Sequence, residues 1–429
     1  NPRHIKTPHR LGGRIDIEGR LNNVNFIKPT VLEAKLAKEI NIPPIRLAGR
    51  VDMNRGAIKG NLDAYTGGGA VLLDAAWNGR VESYDVDVAM QEFPVASIMP
   101  GLGVGNVSAT AAVKGRGYNP MSPRTSIDAK IDVTAVEYQK IVYSDIRAWA
   151  ELDSGKVDAG VMSMNHDANF DLTLTGALSA DSYEAQFEGD VRNLDLMGLK
   201  MSPTMSKGSF AISGNGRMVP KQNIIDADVK VTDLMWDMPD MSLSTPQIDA
   251  SLASNDSTMT VKLQNESLNT ILVAGCPLDS FTTRLTSTMA LLDRNIAAKR
   301  IDIDSIQKSL PPFVLELQSG RKSILSGLLE PSKASFNSLS LNMRNDSLMR
   351  MNGDAYGIAF GDTRIDTVKI NAFQHGKYLV FRASMNNRPG TFDDFAHVTA
   401  SGFIANENLS VFVNQSNIQN ETGFKLGVN

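Results

Sequence analysis

The sequence IDAKIDVTA, from Ile127 to Ala135, alternates apolar and polar residues without interruption. Successive side chains of a β-strand point to opposite faces of a sheet, so this alternation predicts a strand with one apolar and one polar face. The same alternation recurs almost to the end of the chain, at Phe170–Thr175, Ala227–Thr232, Met259–Leu263, Leu379–Ala383 and Leu409–Val413. The sequence therefore predicts an all-β fold.

Turn-forming residues separate these strands. They tolerate a positive φ and occur at Gly67–Gly69, Asn78-Gly79, Ser154-Gly155, Asn352-Gly353 and His375-Gly376. Strands joined by such short turns favour an antiparallel meander, here an elongated, curved antiparallel sheet. Helical patterns are few, and we predict only short helices, at Phe93–Met99, Leu194–Met201 and Ile301–Leu310.

The chain contains an internal repeat. Gly115, Gly117 and Ile127–Ala129 recur as Gly214, Gly216 and Ile225–Ala227, an offset of 98 or 99 residues. A repeat of this length holds several strands, so we predict stacked sheet modules that bury their ends against one another. We interpret residues 1–429 as one elongated, repetitive β-groove region. Its approximate modules are residues 1–100, 101–205, 206–312 and 313–429.

Composition excludes several classes of function. A hydrophobic fraction of 42% and a charged fraction of 21% are typical of a folded chain. The net charge is −4 and no basic run is interleaved with aromatics, which argues against nucleic acid as a partner. The only cysteine, Cys276, cannot form an intrachain disulfide or a multi-thiolate metal site. No apolar run reaches the length of a membrane span, so we expect any membrane anchor to lie outside this chain.

Local motifs for catalysis or metal binding are weak. Gly101, Gly103 and Gly105 lack the glycine spacing of a phosphate-binding loop. The five histidines are scattered, and the alternation of Asp85 and Asp87 is typical of a solvated strand face. We therefore expect a protein that is not an enzyme and has no cofactor or metal.

Two segments carry a family resemblance. IRLAGRVDMNRGAIKGNLDA, residues 45–64, and VKGRGYNP, residues 113–120, resemble the periplasmic β-strand repeat region of TamB and its AsmA-like relatives. The resemblance implies a taco-shaped or U-shaped sheet with an apolar groove. It also implies a parent protein that is anchored in the inner membrane and bridges the periplasm of a Gram-negative bacterium. Such proteins are implicated in phospholipid passage to the outer membrane and, with a barrel partner of the TamA or BamA type, in outer-membrane protein assembly.

The residues themselves also favour a groove. A curved sheet with one apolar face either packs that face or leaves it lining a cavity. Inward candidates such as Ala109, Ala111 and Val113 are small, and aromatic residues make up only 6% of the chain, so bulky side chains to fill the space are scarce. We predict that the residues lining a lipid groove are Ile127, Ile131, Val133, Phe170, Leu172, Leu174, Val229, Val231, Met259, Val261 and Leu263.

These observations lead to three hypotheses for the function, each from a different class. The first is an apolar groove for phospholipid acyl chains between the inner and outer membranes. The second is a scaffold whose open sheet edge pairs by β-augmentation with outer-membrane proteins, autotransporters among them, or with a barrel partner. The third is a glycan-binding β-sandwich array, for which Trp77, Trp149 and Trp236 are the support, although tryptophans more often pack between strands.

Overall fold

The computed structural model describes residues 12–22, 41, 43–202, 206–238, 241–298, 300–329, 333–361, 363–387, 397–406, 408–417, 419 and 421–428. Strands make up 69% and helices 11%, and the strands form one antiparallel sheet of 25 strands that is not closed. The predicted all-β, antiparallel class with a few short helices is confirmed.

The chain divides into two compact units, residues 1–208 and 209–429. The strands of unit 1 are β1 (Gly12–Leu21), β2 (Ile45–Asn54), β3 (Ala57–Thr66), β4 (Gly69–Asn78), β5 (Ser83–Pro94), β6 (Val104–Arg116), β7 (Ser126–Tyr138), β8 (Ile141–Asp153), β9 (Lys156–Met164), β10 (Ala168–Leu178) and β11 (Tyr183–Asp195).

Unit 2 contains almost all of β12 and every later strand. These are β12 (Lys207–Val219), β13 (Ile224–Met238), β14 (Met241–Ser254), β15 (Met259–Asn265), β16 (Leu268–Ala274), β17 (Phe313–Gly320), β18 (Ala334–Ser335), β19 (Ser338–Asn345), β20 (Met349–Phe360), β21 (Thr363–His375), β22 (Tyr378–Asn386), β23 (His397–Ala405), β24 (Asn408–Ser416) and β25 (Thr422–Val428). The helices among the described residues are α1 (Val95–Ile98), α2 (Leu278–Ala297), α3 (Ile303–Ser309) and α4 (Ile324–Leu329), with 3₁₀ turns at Pro100–Leu102 and Pro220–Gln222.

The strands form a meander. From β1 to β11 each strand pairs antiparallel with the next one in the chain. From β13 to β25 the same rule holds, except that β17 pairs with β19 while the two-residue β18 pairs with β20. Consecutive pairing is the arrangement that short turns favour.

Most predicted turns are confirmed. Ser154 and Gly155 both have positive φ, 54° and 82°, and join β8 to β9. Gly79, Gly376 and the pair Gly67-Gly68 also lie in turns between consecutive strands. The turn predicted at Asn352-Gly353 is wrong. Both residues lie inside β20, whose ladders to β19 and β21 satisfy the backbone on both sides.

The helices differ from the prediction in two places. α1 and α3 fall where helices were predicted, whereas the region of Leu194–Met201 forms one helical turn, from the Leu199 amide to the Asp195 carbonyl at 2.9 Å. Lys200, with φ at 54°, ends that turn. The longest of the described helices, α2, was not predicted.

The buried core lies mainly in unit 2. Met259, Ala274 and Cys276 form its central cluster, and Phe281 of α2 and Phe313 of β17 pack against them. Arg284 of α2 donates hydrogen bonds to the carbonyls of Lys308 at 2.9 Å and Leu310 at 2.7 Å, which joins α2 to the end of α3. These helices therefore cover one end of the strands in unit 2.

Candidate functional site

The ladder registers of unit 1 align apolar residues in rows that cross the whole unit. One row consists of Ile17, Gly49, Leu62, Leu73, Val88, Ala111, Ile131, Ala148, Val161, Leu172 and Gly189. The adjacent row consists of Ile15, Val51, Gly60, Ala75, Val86, Val113, Ala129, Ala150, Ala159, Leu174 and Phe187. Each row passes through eleven strands without a polar side chain, and together they define the apolar face of unit 1.

All six lining residues predicted in unit 1 lie on this face. Ile131 and Leu172 belong to the first row and Leu174 to the second. Val133 and Phe170 share another row, since Val133 pairs with Ile146, which pairs with Ser163, which in turn pairs with Phe170. Ile127 stands opposite Leu152 on the same side of β7.

The apolar face of unit 1 remains accessible to solvent. The side chains of Ile131 and Leu174 are 42% and 37% exposed. Among the described residues of unit 1, the buried apolar side chains are only Leu152, Ala168, Val191 and Leu199. A contiguous, accessible apolar surface that extends across eleven strands is rare in soluble monomers and marks an interaction site.

The opposite face of unit 1 is polar. Asp16, Arg50 and Thr173 belong to a cross-strand row on this face. Ion pairs such as Arg50–Asp16 at 2.6 Å and Arg147–Asp132 at 3.3 Å are largely exposed, so each contributes only about 0 to 1 kcal/mol. The polar face therefore faces solvent, which leaves the apolar face as the candidate site.

Unit 2 carries a second apolar face built in the same way. One row contains Ala227, Leu252, Val261, Leu272, Leu315, Met343, Met351, Ala372, Phe381, Gly402, Val411 and Val428. The neighbouring row includes the predicted Val229 and Leu263, and its one polar member is Thr270. Val231 lies on the same face, opposite Ile248.

Helices cover part of the apolar face of unit 2. The predicted lining residue Met259 is only 1% exposed, because Leu278 and Phe281 of α2 close the cluster around it. At the other end of these strands, a β-carbon added to Gly327 of α4 would come within 2.4 Å of Leu243. Met259 is thus a core residue, while Val261 and Leu263 lie between the two covered ends.

Sequence reasoning missed α2, although a signal was present. Its apolar residues recur at intervals of three and four, a helical period: Leu278, Phe281, Leu285, Met289, Leu292 and Ile296. Among the helices that the structure describes, neither α2 nor any other is long and apolar enough to cross a membrane.

The three tryptophans do not form a common stacking platform. Trp77 lies in the row of Ile58 and Tyr84 on the apolar side, whereas Trp149 lies on the polar side, with its ring over Gly160. Trp236 packs in unit 2, where its ring centroid is 6.3 Å from that of Phe210. All the named strands belong to one sheet.

Other candidate groups have ordinary surroundings. Cys276 is buried, and burial raises the pKa of its thiol, which disfavours the reactive thiolate. His166 lies 2.7 Å from Asp167, and His397 contacts Asn386, while His4 and His9 lie outside the described residues. The described residues hold no group of three His, Cys, Asp or Glu side chains able to bind a metal.

Comparisons of this chain with family models, with curated proteins and with solved structures found no match. The resemblance to TamB and its AsmA-like relatives therefore stays a prediction from the sequence.

Proposed function

We propose that this chain is a non-catalytic lipid-transfer segment whose apolar faces bind the acyl chains of phospholipids. The observation that carries the proposal is the continuity of the apolar rows in unit 1. An acyl chain on this face would meet only apolar side chains or glycine along two neighbouring rows of eleven strands.

The free energy of binding favours movement of a lipid along the apolar face over tight binding at one position. Each methylene that leaves water gains about 0.8 kcal/mol, so two acyl tails strongly prefer the apolar face to solvent. Small residues such as Ala129, Ala150 and Ala159 lie side by side in one row and leave room for a flexible chain. A uniform lining provides no single position of much deeper binding, so a bound lipid can move from strand to strand.

The sequence resemblance gives this proposal its cellular setting. We propose that the chain is the periplasmic part of a TamB or AsmA-like protein in a Gram-negative bacterium, with an inner-membrane anchor elsewhere in the parent protein. In that setting, the proposed function of the chain is phospholipid transport between the inner and outer membranes. The all-β meander supports the resemblance at the level of fold class alone.

Two neighbouring residues provide a matched test. Leu172 lies on the apolar face, and the adjacent Thr173 lies on the polar face opposite Glu188. Leu172→Arg puts a charge into the proposed lipid path, whereas Thr173→Arg puts the same charge on the polar face, opposite the carboxylate of Glu188. Native mass spectrometry with lipid extraction, on protein purified from a lysate that contains membranes, should find phospholipid on the wild type and on Thr173→Arg but little on Leu172→Arg.

Folding controls decide what a negative result means. Circular dichroism should give all three proteins the same β-sheet spectrum, since Leu172 is only half-buried. If Leu172→Arg unfolds while Thr173→Arg does not, the apolar face is a packed core and the lipid path fails at this position. Absence of lipid from the folded wild type would count against the proposal as a whole.

The free edges of the sheet favour the scaffold as a second candidate. In the described residues β1 pairs only with β2 and β25 only with β24, and Phe424, Leu426 and Val428 of β25 are all exposed. An exposed edge with alternating apolar residues is a template for strand addition. Leu426→Pro should then abolish capture of a urea-unfolded outer-membrane barrel protein at low and high salt, whereas Leu172→Arg should not.

A further inference from the structure

A cavity of about 680 Å³ lies in unit 2, where the turn between β15 and β16 meets β17, β19 and β20. We call it the polar cup. Gln264, Asn269, Gln318 and Ser340 line it as one cross-strand row. The next row brings Ser338 opposite Tyr356. Gln264, Gln318 and Ser340 alternate with Leu263, Leu317 and Leu341 of the apolar face, so these three polar side chains lie on the other face of the sheet. Leu268 and Leu339 also line the polar cup.

Several polar groups of the polar cup have no protein partner. Gln264 donates to Asn269 at 3.1 Å, but the side chains of Gln318, Ser338, Ser340 and Tyr356 make no hydrogen bond to any described residue. The ring of Tyr356 is 42% exposed. Amide and hydroxyl groups that converge on a cavity without partners are available to a ligand.

The charge of the polar cup is also distinctive. Glu266 is its only charged lining residue, and it pairs with Lys322 at 3.1 Å. A charged ligand would therefore find no free countercharge in the lining. The cavity volume lies within the range of about 300 to 1,000 Å³ that is usual for small-ligand sites.

We infer that the polar cup binds a short neutral oligosaccharide. Glutamine and asparagine amides both donate and accept hydrogen bonds, which matches the paired hydroxyls of a sugar ring, and serine hydroxyls add further contacts. The exposed ring of Tyr356 offers an apolar surface against which a sugar ring can stack. The polar side chains named here belong neither to the two apolar rows of unit 2 nor to the tryptophans, and the inference does not depend on lipid binding.

Isothermal titration calorimetry of the full chain tests this inference with three probes. Maltotriose and N,N′,N″-triacetylchitotriose are neutral, and trigalacturonic acid is the charged comparison. We expect at least one neutral probe to bind, and trigalacturonic acid to bind at least tenfold more weakly. Gln318→Leu and Tyr356→Ala should each weaken binding of the neutral probe about tenfold or more.

The control is Gln186→Leu, the same change at an exposed glutamine of unit 1 outside the polar cup. It should leave binding unchanged. Gln318 is exposed and makes no side-chain hydrogen bond, so Gln318→Leu should keep the fold and stands alone as the test if Tyr356→Ala unfolds. The inference is overturned if neither neutral probe binds, if Gln318→Leu binds as well as the wild type, or if the charged probe binds best.

Discussion

At the scale of single residues, lying on an apolar face does not determine how much a side chain contributes to the free energy of unfolding. Met259 and Ile131 were both predicted to line a groove, yet their exposed fractions are 1% and 42%. Met259→Ala should lower the free energy of unfolding by about 2 to 5 kcal/mol, because it leaves a cavity in a closed cluster. Ile131→Ala should cost about 1 kcal/mol or less, because much of that side chain is already in water.

Urea unfolding followed by circular dichroism measures both changes. The comparison is informative because both residues lie on apolar faces of alternating strands, and Met259 is covered by α2 whereas Ile131 is exposed. If Ile131→Ala costs as much as Met259→Ala, the apolar face of unit 1 is packed rather than open. The lipid-transfer proposal would then lose its site in that unit.

At the scale of elements, α3 is held by a capping aspartate. Asp302 accepts hydrogen bonds from the Ser305 amide at 3.1 Å and from its hydroxyl at 2.8 Å. The bond from the Ser305 amide is the main cause that lowers the pKa of Asp302 below its usual value. Asp302→Ala should destabilise the protein by about 1 kcal/mol at pH 7, the usual cost of losing an N-cap.

The sign of the pH dependence follows from the lowered pKa. The ionised Asp302 stabilises the folded state above the unfolded-state pKa of about 4, and this contribution is lost as the pH falls through the lower folded-state pKa. The difference in melting temperature between wild type and Asp302→Ala should therefore shrink in strongly acidic buffer. Asp302→Asn keeps a good capping oxygen without the charge, so it should stay close to wild type at pH 7. An Asp302→Asn protein as unstable as Asp302→Ala would refute this account.

At the scale of the whole molecule, the two units differ in how much apolar surface they bury. Unit 1 has few buried apolar side chains, whereas unit 2 has a helix-covered core around Met259 and Cys276. We expect unit 1 to unfold at lower urea than unit 2, as in repeat proteins whose stability is a sum of local terms. Tryptophan fluorescence and thiol labelling can follow the two units separately.

The measurement uses Trp236→Phe, so that fluorescence reports only Trp77 and Trp149 of unit 1. Removal of the Trp236 indole should be tolerated, because its buried N–H has no hydrogen-bond partner. Cys276, buried in unit 2, reports that unit through its reaction with a thiol reagent. Thiol exposure should require more urea than the fluorescence change, and coincident midpoints would contradict independent unfolding.

The sequence predicts well the periodicity of the strands and the sheet face on which each side chain lies. It predicts poorly which parts of those faces are covered by other elements. Alternation from Ile127 to Ala135 identified β7 and the face of its side chains, because a strand has only two faces. Turn residues failed at Asn352-Gly353, where two flanking ladders hold the backbone extended. The burial of Met259 depends on α2, which returns over the sheet from a later part of the chain. Such a contact, and the unpartnered groups of the polar cup, cannot be inferred from local pattern.

The consecutive pairing of the strands has a mechanical consequence. A force that pulls the two ends of the chain apart would load one ladder at a time, because each strand is held mainly by its neighbours in sequence. Antiparallel hairpins pulled in this way unzip bond by bond, with little resistance compared with strands that are sheared along their length. Opening one ladder frees about one strand, so a 13-residue strand such as β7 would release roughly 44 Å of chain at about 3.4 Å per residue. The protein would lengthen under tension in steps that follow the length of each strand, while the ladders not yet loaded stay intact.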